Sequence, residues 1–399
     1  MGTWAGVASG GAVLGLLLSG TLVEITEWRW VFAANGIWAL LALTSALRWV
    51  PRSRDADQPP LDYVGALLST AGLSAAVFAT IEGPERGWTD GLIVGGFIAG
   101  AVLLAGFVLW ELRRTHPMLD PRLFALRGFR TGSLSMTLQF FALFGFIFAI
   151  LQYLQLVLDY SPLAAAFALI PLGMFVGMMS RIVAPRLMNR FGHRVVDAAG
   201  LAVLAGGFAA LATLGTNSSY WHILAALAPL AVGIGLATAP ATASIVQSLP
   251  PEKQGVASAV NDAAREVGGA VGIAVLGSVL NAGYRSGIEE HLTQLPPEGA
   301  ERARDALSFV VSAAESANVP GPVRQAATEL LPAARDAFVS GLSLTMTIAA
   351  VVMVAGSLLV FGRGRRSGRR PELAVDTGTG DGQHPTPRDH DDLELVARS

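Results

Sequence analysis

Cysteine is absent from the 399-residue sequence, and charged residues make up only 15% of it. The lack of thiols excludes disulfide bonds, thiolate metal sites and cysteine nucleophiles. Soluble domains carry about 25% charged residues, whereas this chain is 52% hydrophobic and has a mean hydropathy of +0.51. The composition therefore indicates a membrane protein.

The short motifs of nucleotide-binding and hydrolytic enzymes are also missing. The sequence contains no GxxxxGK[ST] phosphate-binding loop, no HExxH zinc motif and no GxSxG nucleophile elbow. Its six histidines are scattered. We therefore expect no enzyme, no metal, no cofactor and no nucleic-acid partner.

What the sequence does contain is a series of ten apolar runs. Each has roughly the 20 residues that a membrane-spanning helix requires. They predict an all-α polytopic membrane protein whose partner is the lipid bilayer. The runs cover residues 2–23, 30–50, 62–82, 90–112, 132–156, 162–183, 195–215, 222–247, 264–282 and 338–361.

Arginine is concentrated in one alternate set of the segments that connect these runs. Because cytoplasmic loops are enriched in basic residues, we expect this set to be cytoplasmic, with both chain ends on the same side of a plasma (inner) membrane. The opposite side then holds a long external loop, residues 283–337, parts of which have the composition of a surface helix. The polar tail, residues 363–399, is predicted to be disordered and cytoplasmic.

Glycines recur through the opening stretch AGVASGGAVLGLLLSG. They are spaced so that glycines share helix faces, which lets two helix backbones approach closely in lipid. Structural packing alone and control of a conformational change are both compatible with this pattern. The glycines concerned are Gly6, Gly10, Gly11, Gly15 and Gly20. Further along, Glu24 and Arg29 lie near the external boundary, where the spacing allows an ion pair.

Amides and a phenol interrupt the later apolar runs. Gln139, Gln152 and Gln155 are expected to face the bundle interior or a water-filled cavity, because an unsatisfied amide in hydrocarbon costs several kcal/mol. Both interhelical hydrogen bonding and lining of a substrate cavity remain open for them. Tyr153 lies in the same stretch.

Two further segments concentrate charge. PRLMNRFGHR predicts a short cytoplasmic loop in which Gly192 makes a tight turn among Arg186, Arg190 and Arg194. In QGVASAVNDAAREVGGAVGIAVLGSVL, Asp262 and Glu266 share one helix face, and the spacing allows Arg265 to neutralise Asp262. An ionisable residue at the edge of a span is a functional candidate. A charge cluster at the helix end and carboxylates that carry a proton or attract a cation are the two interpretations.

These motifs, in this order, resemble the Major Facilitator Superfamily, and within it the fourteen-span drug:proton antiporters of the quaternary-ammonium and multidrug efflux type. AGVASGGAVLGLLLSGTLVE followed by WRWVF is similar to the antiporter motif of the fifth span, although Ala12 stands where the family often has proline. YLQLVLDYSPLAAAFALIP is similar to the ninth-to-tenth span junction, with Asp159 where glycine is more usual. QGVASAVNDAAREVGGAVGIAVLGSVL is similar to the thirteenth span.

The resemblance implies a domain plan. Residues 1–50 correspond to the last two helices of the N-terminal half and residues 51–112 to an inserted helix pair. Residues 113–362 correspond to a complete six-helix C-terminal half. The first four spans of the family have no counterpart, so this plan implies an incomplete N-terminal half.

The resemblance also implies a function: proton-coupled efflux of lipophilic or cationic drugs, with drug and protons as partners. The pathway would use Asp262, Glu266, Gln139, Gln152, Gln155 and Tyr153, with the arginine loop as a cytoplasmic gate. Phe140, Phe141, Phe144 and Phe148 would add apolar surface for planar cations. The alternatives are a non-transporting membrane fragment that needs a partner, and an exporter of an endogenous metabolite.

Overall fold

The computed structural model describes residues 2–50, 61–115, 117–294, 297–316 and 319–362. Within these ranges the chain is helical, with no strand. The α-helices are α1 (Gly2–Ile25), α2 (Arg29–Trp49), α3 (Tyr63–Arg86), α4 (Gly91–Arg113), α5 (Arg127–Gln152), α6 (Pro162–Met178), α7 (Ala184–Phe191), α8 (His193–Leu211), α9 (Tyr220–Val246), α10 (Gln254–Ile288), α11 (Pro297–Asp305), α12 (Leu307–Glu315) and α13 (Gly321–Gly362). Single π-helical turns, Tyr153–Val157 and Met179–Val183, follow α5 and α6.

Among the described residues, nine helices are long and apolar enough to cross a membrane. They coincide with the second to tenth predicted spans, and the first predicted span is helix α1. The predicted all-α polytopic class is confirmed. The predicted tail, residues 363–399, lies outside the described residues.

Helices α5, α6, α8, α9, α10 and α13 surround the largest apolar core, and we call them the six-helix bundle. Phe146, Tyr153 and Phe208 are fully buried in this core. Glycine brings α8 and α9 together, because a Cβ added at Gly233 would overlap the backbone of Leu204. Such small residues allow the close helix contact on which packing in lipid depends.

Helices α5 and α10 lie side by side, run in the same direction and meet through glycine. A Cβ at Gly268 or Gly272 would overlap the carbonyl oxygens of Thr137 and Phe141, and one at Gly145 would overlap Leu276. From one contact to the next, the residue number rises by four on both helices, which is about one helical turn. The two helices are therefore parallel and in a fixed register.

Asp62 joins helices α3 and α4 by hydrogen bonds at the arginine-rich end of the pair. The Asp62 carboxylate caps α3 by accepting from the Gly65 N–H (2.9 Å), and it also accepts from Trp110 Nε1 of α4 (2.9 and 3.0 Å). These two hydrogen bonds and nearby Arg114 hold the pKa of Asp62 below its ordinary value, the Gly65 bond most strongly. The pair docks on the six-helix bundle, where Ser278 of α10 donates to the carbonyl oxygen of Thr80 (2.6 Å).

Helix α1 contacts α6 near its C-terminal end. A Cβ at Gly20 would come within 3.1–3.2 Å of Pro162 and Leu163. One turn later, Glu24 accepts from Ser161 Oγ (2.8 Å) and from the Leu163 N–H (3.2 Å). The Glu24–Arg29 pair suggested by the sequence is therefore wrong, because the N-terminus of α6 offers Glu24 hydrogen-bond donors and a favourable helix dipole. Arg29 lies 3.6 Å from Glu27 instead.

The other glycines of the opening stretch differ from Gly20. A Cβ at Gly11 or Gly15 would meet no atom of the described residues within 4 Å. Gly6 and Gly10 belong to α1, but their surroundings lie outside what the structure describes. Close packing is thus confirmed at Gly20, and Gly11 and Gly15 have no packing partner in the described part of the chain.

The segment 283–337, predicted as an external loop, is mostly helical, because α10 and α13 continue past the bundle and α11 and α12 fill the space between them. Tyr284 donates its hydroxyl to the Ala303 carbonyl oxygen (2.7 Å), and Arg304 forms a bidentate pair with Glu289 (2.7 and 2.8 Å). The helical composition noted for parts of this segment agrees with these helices, because alanine, glutamate and arginine are good helix formers even where the hydropathy is low.

Candidate transport site

A line of four hydrogen-bonded polar side chains crosses the six-helix bundle between α5, α8 and α9. Asp197 Oδ1 accepts from Ser135 Oγ (2.6 Å), and Ser135 Oγ accepts from Gln139 Nε2 (2.9 Å). Gln139 Oε1 accepts from Thr238 Oγ1 (2.8 Å). We call these residues the Asp197 network. It joins three helices through side chains rather than through apolar contact.

Burial is nearly complete for three members of the network. Ser135, Gln139 and Asp197 are 0%, 1% and 3% exposed, whereas Thr238 is half-buried. Ser135 and Gln139 share a face of α5 because they are four residues apart. Of the two roles left open for Gln139, the structure shows interhelical hydrogen bonding.

Sequence reasoning missed Asp197, Ser135 and Thr238. The signal was present for Asp197, because a carboxylate four residues into an apolar α8 is as unusual as the acidic residues that were singled out. Serine and threonine gave no such signal, since both satisfy themselves on a helix backbone. Only the helix packing shows that they meet Gln139.

Asp262 and Glu266 lie elsewhere, on a face of α10 that the rest of the described chain leaves exposed. Glu266 is twelve residues from the start of α10 at Gln254, which places it about 18 Å along the helix. The α5–α10 register sets it at the level of Ser135. The structure therefore places carboxylates at one level on two sides of α5: Asp197 buried and Glu266 open.

Arg265 does not neutralise Asp262 as its spacing suggested. No ion pair joins the two within 4.0 Å in the described ranges. The Arg265 guanidinium lies over the ring of Phe140 instead, 5.2 Å from the ring centroid, and its Nε is buried without a hydrogen-bond partner among the described residues. A cation over an aromatic face at a site shielded from water is electrostatically favoured.

The remaining predicted pathway residues are separate from the Asp197 network. Gln152 donates to the Phe148 carbonyl oxygen (3.2 Å) and lines a cavity of about 390 Å³ between α3, α5, α10 and α12. Gln155 is half-buried in the π-helical turn. Tyr153 is fully buried, and its hydroxyl donates to the Gly215 carbonyl oxygen (2.7 Å), which holds the connection between α8 and α9.

The predicted arginine loop is a helix, a glycine turn and a helix. Gly192 has φ +80°, a conformation that favours glycine, and it joins α7 to α8. Arg194 donates to the Val360 carbonyl oxygen (3.0 Å) and lies over the ring of Phe361. Arg186 donates to the Ile182 carbonyl oxygen in the preceding π-helical turn, and Arg190 stacks on its neighbour Phe191. Arg194 therefore ties the turn to the end of α13.

At the opposite end of the bundle, another arginine also donates to a backbone carbonyl oxygen of a neighbouring segment. Asp159 has φ +55°, the one non-glycine residue with positive φ in the described ranges, at a position where the resembled family more often has glycine. Its carboxylate pairs with Arg335 of α13, which also donates to the Leu156 carbonyl oxygen (3.1 Å). The ion pair holds a conformation that L-residues rarely adopt.

A glycine-packed helical bundle with polar side chains buried inside it defines the chain as a multi-pass membrane protein. The Major Facilitator Superfamily profile matches residues 1–273. The multidrug efflux pump LfrA of Mycolicibacterium smegmatis is 34% identical over 90% of this chain and 69% of its own length. The chain belongs to the Major Facilitator Superfamily.

Two further relatives have a similar relation to the chain. The puromycin resistance protein pur8 of Streptomyces alboniger is 36% identical over 73% of this chain and 58% of its own length. The multidrug resistance protein Stp of Mycobacterium tuberculosis is 32% identical over 89% of this chain and 67% of its own length. The chain thus spans between 58% and 69% of these three relatives.

Proposed function

We propose that the chain acts in proton-coupled efflux of lipophilic or cationic drugs, in the fourteen-span antiporter branch of the superfamily. The observation that carries the proposal is the open face of α10. This face presents Asp262 and Glu266 deep in an apolar helix, while glycines on the other face press α10 against α5. The names of the relatives, two multidrug proteins and a puromycin resistance protein, favour a drug as substrate.

In this proposal the six-helix bundle is the C-terminal half of the transporter. Helices α1 and α2 belong to the N-terminal half, and α3–α4 is the inserted pair. The arginine-rich end, with Arg186, Arg190, Gly192 and Arg194, faces the cytoplasm, as do both termini. The division is supported by the shared core of the six helices and by the few polar contacts that hold the other helices to it.

Transport would proceed by rocking of the two halves around a midplane site. A carboxylate of α10 would pair with the cationic substrate on one side and with a proton on the other, so that release of one accompanies binding of the other. Phe140 and the half-exposed Phe144 and Phe148 supply apolar and aromatic surface along the neighbouring α5. Gln152 and Gln155 add polar groups towards the opposite end.

Proton-driven efflux of ethidium from cells without other pumps tests the proposal. Glu266→Gln and Asp262→Asn should each abolish efflux, because neither amide can exchange a proton for a cation. Glu290→Gln, an exposed change two residues past the end of α10, is the matched control and should leave efflux intact. If efflux persists in both single variants, neither Asp262 nor Glu266 exchanges a proton for the drug.

The wild-type chain itself tests whether it transports drugs without a partner protein. If it inserts in the membrane at normal abundance but exports no dye, it does not transport drugs by itself. Metabolite profiling of the same cells then separates the two alternatives, because an exporter of an endogenous compound changes the medium and a fragment that needs a partner does not.

A further inference from the structure

Asp197 is a buried carboxylate that, among the described residues, has one side-chain hydrogen bond and no ion pair. Its donor there is Ser135 Oγ at 2.6 Å. No arginine, lysine or histidine of the described ranges lies within 4.0 Å of it. An ionised carboxylate in such surroundings carries a desolvation cost of several kcal/mol that no ion pair offsets.

The helices that pack around α8 bring no charged group into an ion pair with this carboxylate within 4.0 Å in the described ranges, including Arg127 and Arg130 of α5. Helix α5 presents Ser135 with Gln139 behind it, and α9 presents Thr238. Helix α13 contributes the Ser357 hydroxyl, which donates to the Ala198 carbonyl oxygen. Arg194, one turn before Asp197, is turned towards Val360. The arginines of α7 are engaged at Ile182 and at the ring of Phe191.

We propose that Asp197 is a proton-binding site of the C-terminal half, separate from the carboxylates on the open face of α10. The proton adds to a carboxylate oxygen from water at the arginine-rich end and leaves to water again, and no other bond forms or breaks. A serine hydroxyl both donates and accepts. Ser135 therefore donates to the ionised carboxylate and accepts from the protonated one.

The Asp197 network connects the protonation of Asp197 to the contacts between helices. When Ser135 changes from donor to acceptor, its oxygen accepts from both Asp197 and Gln139, and its own proton loses its acceptor, so the hydrogen bonds around Ser135 rearrange. Protonation of Asp197 on α8 thereby affects the hydrogen bonds that join α8 to α5 and α9. Because α5 is locked to α10, the change also reaches the helix that carries Glu266. The role in transport rests on the proposed function, whereas the protonation itself does not.

Infrared difference spectroscopy of the purified full chain tests protonation directly. Wild type minus Asp197→Asn should show the carbonyl stretch of a carboxyl group shielded from water, titrating with pH and exchanging slowly in D₂O. The control, wild type minus Asp262→Asn, should show only a hydrated carboxyl group, because Asp262 is exposed. If Asp197→Asn removes no shielded carboxyl band at any pH, the site does not bind a proton.

Ser135→Ala provides the measurement that does not depend on folding of the Asp197→Asn protein. It keeps the carboxyl group and removes its hydrogen-bond donor, so the shielded band should persist at a shifted frequency. A band that stays at the wild-type frequency would show that the titrating carboxyl group is not Asp197.

Transport in proteoliposomes then tests the role of the site. Asp197→Asn should retain ethidium counterflow, lose uphill transport driven by a pH gradient, and take up fewer protons per substrate than wild type. Gradient-driven transport with the wild-type proton count would overturn the coupling role. A wild-type protein that shows the shielded band but transports nothing would contradict the proposed function and leave the proton site standing.

Discussion

The six-helix bundle and the four helices before it are both apolar and glycine-rich, but they are held in different ways. The bundle buries large side chains such as Phe146 and Phe208, and it brings backbones into contact at Gly268 and Gly272. By contrast, no residue of α2 is buried by the described part of the chain, and Trp38 is 59% exposed. The same apolar composition serves a protein core in one region and a surface for lipid or another helix in the other.

Polar contacts help to join the two regions. Glu24 of α1 binds the start of α6, and Ser278 of α10 donates to the Thr80 carbonyl oxygen of α3, whereas Asp62 ties α3 to α4 within the preceding helices. Such contacts are individually modest. We therefore expect damage to the bundle to be severe and damage to the preceding helices to be local, and four substitutions test this difference.

The largest effect is expected at Gly272. Gly272→Ala places a methyl group on the Phe141 carbonyl oxygen, and overpacking of this kind costs about 1–3 kcal/mol. Thermal unfolding in detergent should show a clear fall in the midpoint. Gly206→Ala is the matched control, because a Cβ there meets no described atom within 4 Å. Equal midpoints for the two variants would show that the α5–α10 contact is not tight.

The next effect is expected at Glu24. Glu24→Ala removes the acceptor for Ser161 and for the Leu163 N–H, at a cost of about 1 kcal/mol for an exposed contact. Hydrogen exchange should accelerate at the start of α6 while the rest of the bundle stays protected. Glu27→Ala, which loses only an exposed contact with Arg29, is the control and should leave α6 unchanged.

A pH-dependent and smaller effect is expected at Asp62. Since its pKa is lowered in the folded chain, its contribution to stability is fully present above the unfolded value near 3.9 and is lost as the pH falls through the lower folded value. Asp62→Asn should flatten this acid dependence, measured as the difference between wild-type and variant unfolding midpoints from pH 6 to pH 3. A constant difference over that range would contradict the role assigned to the carboxylate.

The smallest effect is expected at Gly15. A Cβ at this position is free of contacts in the described chain, and alanine is a better helix former than glycine by up to about 1 kcal/mol. Gly15→Ala should leave the unfolding midpoint unchanged or raise it slightly. A marked loss of stability would show that α1 has a packing partner at Gly15, and the contrast with Gly272 would disappear.

Periodicity and hydropathy predicted the helices well, because a span must be apolar over about 20 residues whatever it contacts. They could not identify the partner of Glu24 or the buried position of Asp197, because both depend on which helices become neighbours. For the segment 283–337 the composition indicated helix only in parts, because helices of low hydropathy carry no span signal.

The register of α5 and α10 limits how the protein can move. Gly268 and Gly272 of α10 each lie against one carbonyl oxygen of α5, and the two contacts are four residues apart, or about 6 Å along the helix. A shorter slide would move Gly268 and Gly272 away from these carbonyl oxygens and press larger side chains against the α5 backbone. The two helices therefore cannot slide past each other gradually. We therefore expect the two helices to move as one piece, with any bending confined to other parts of the chain.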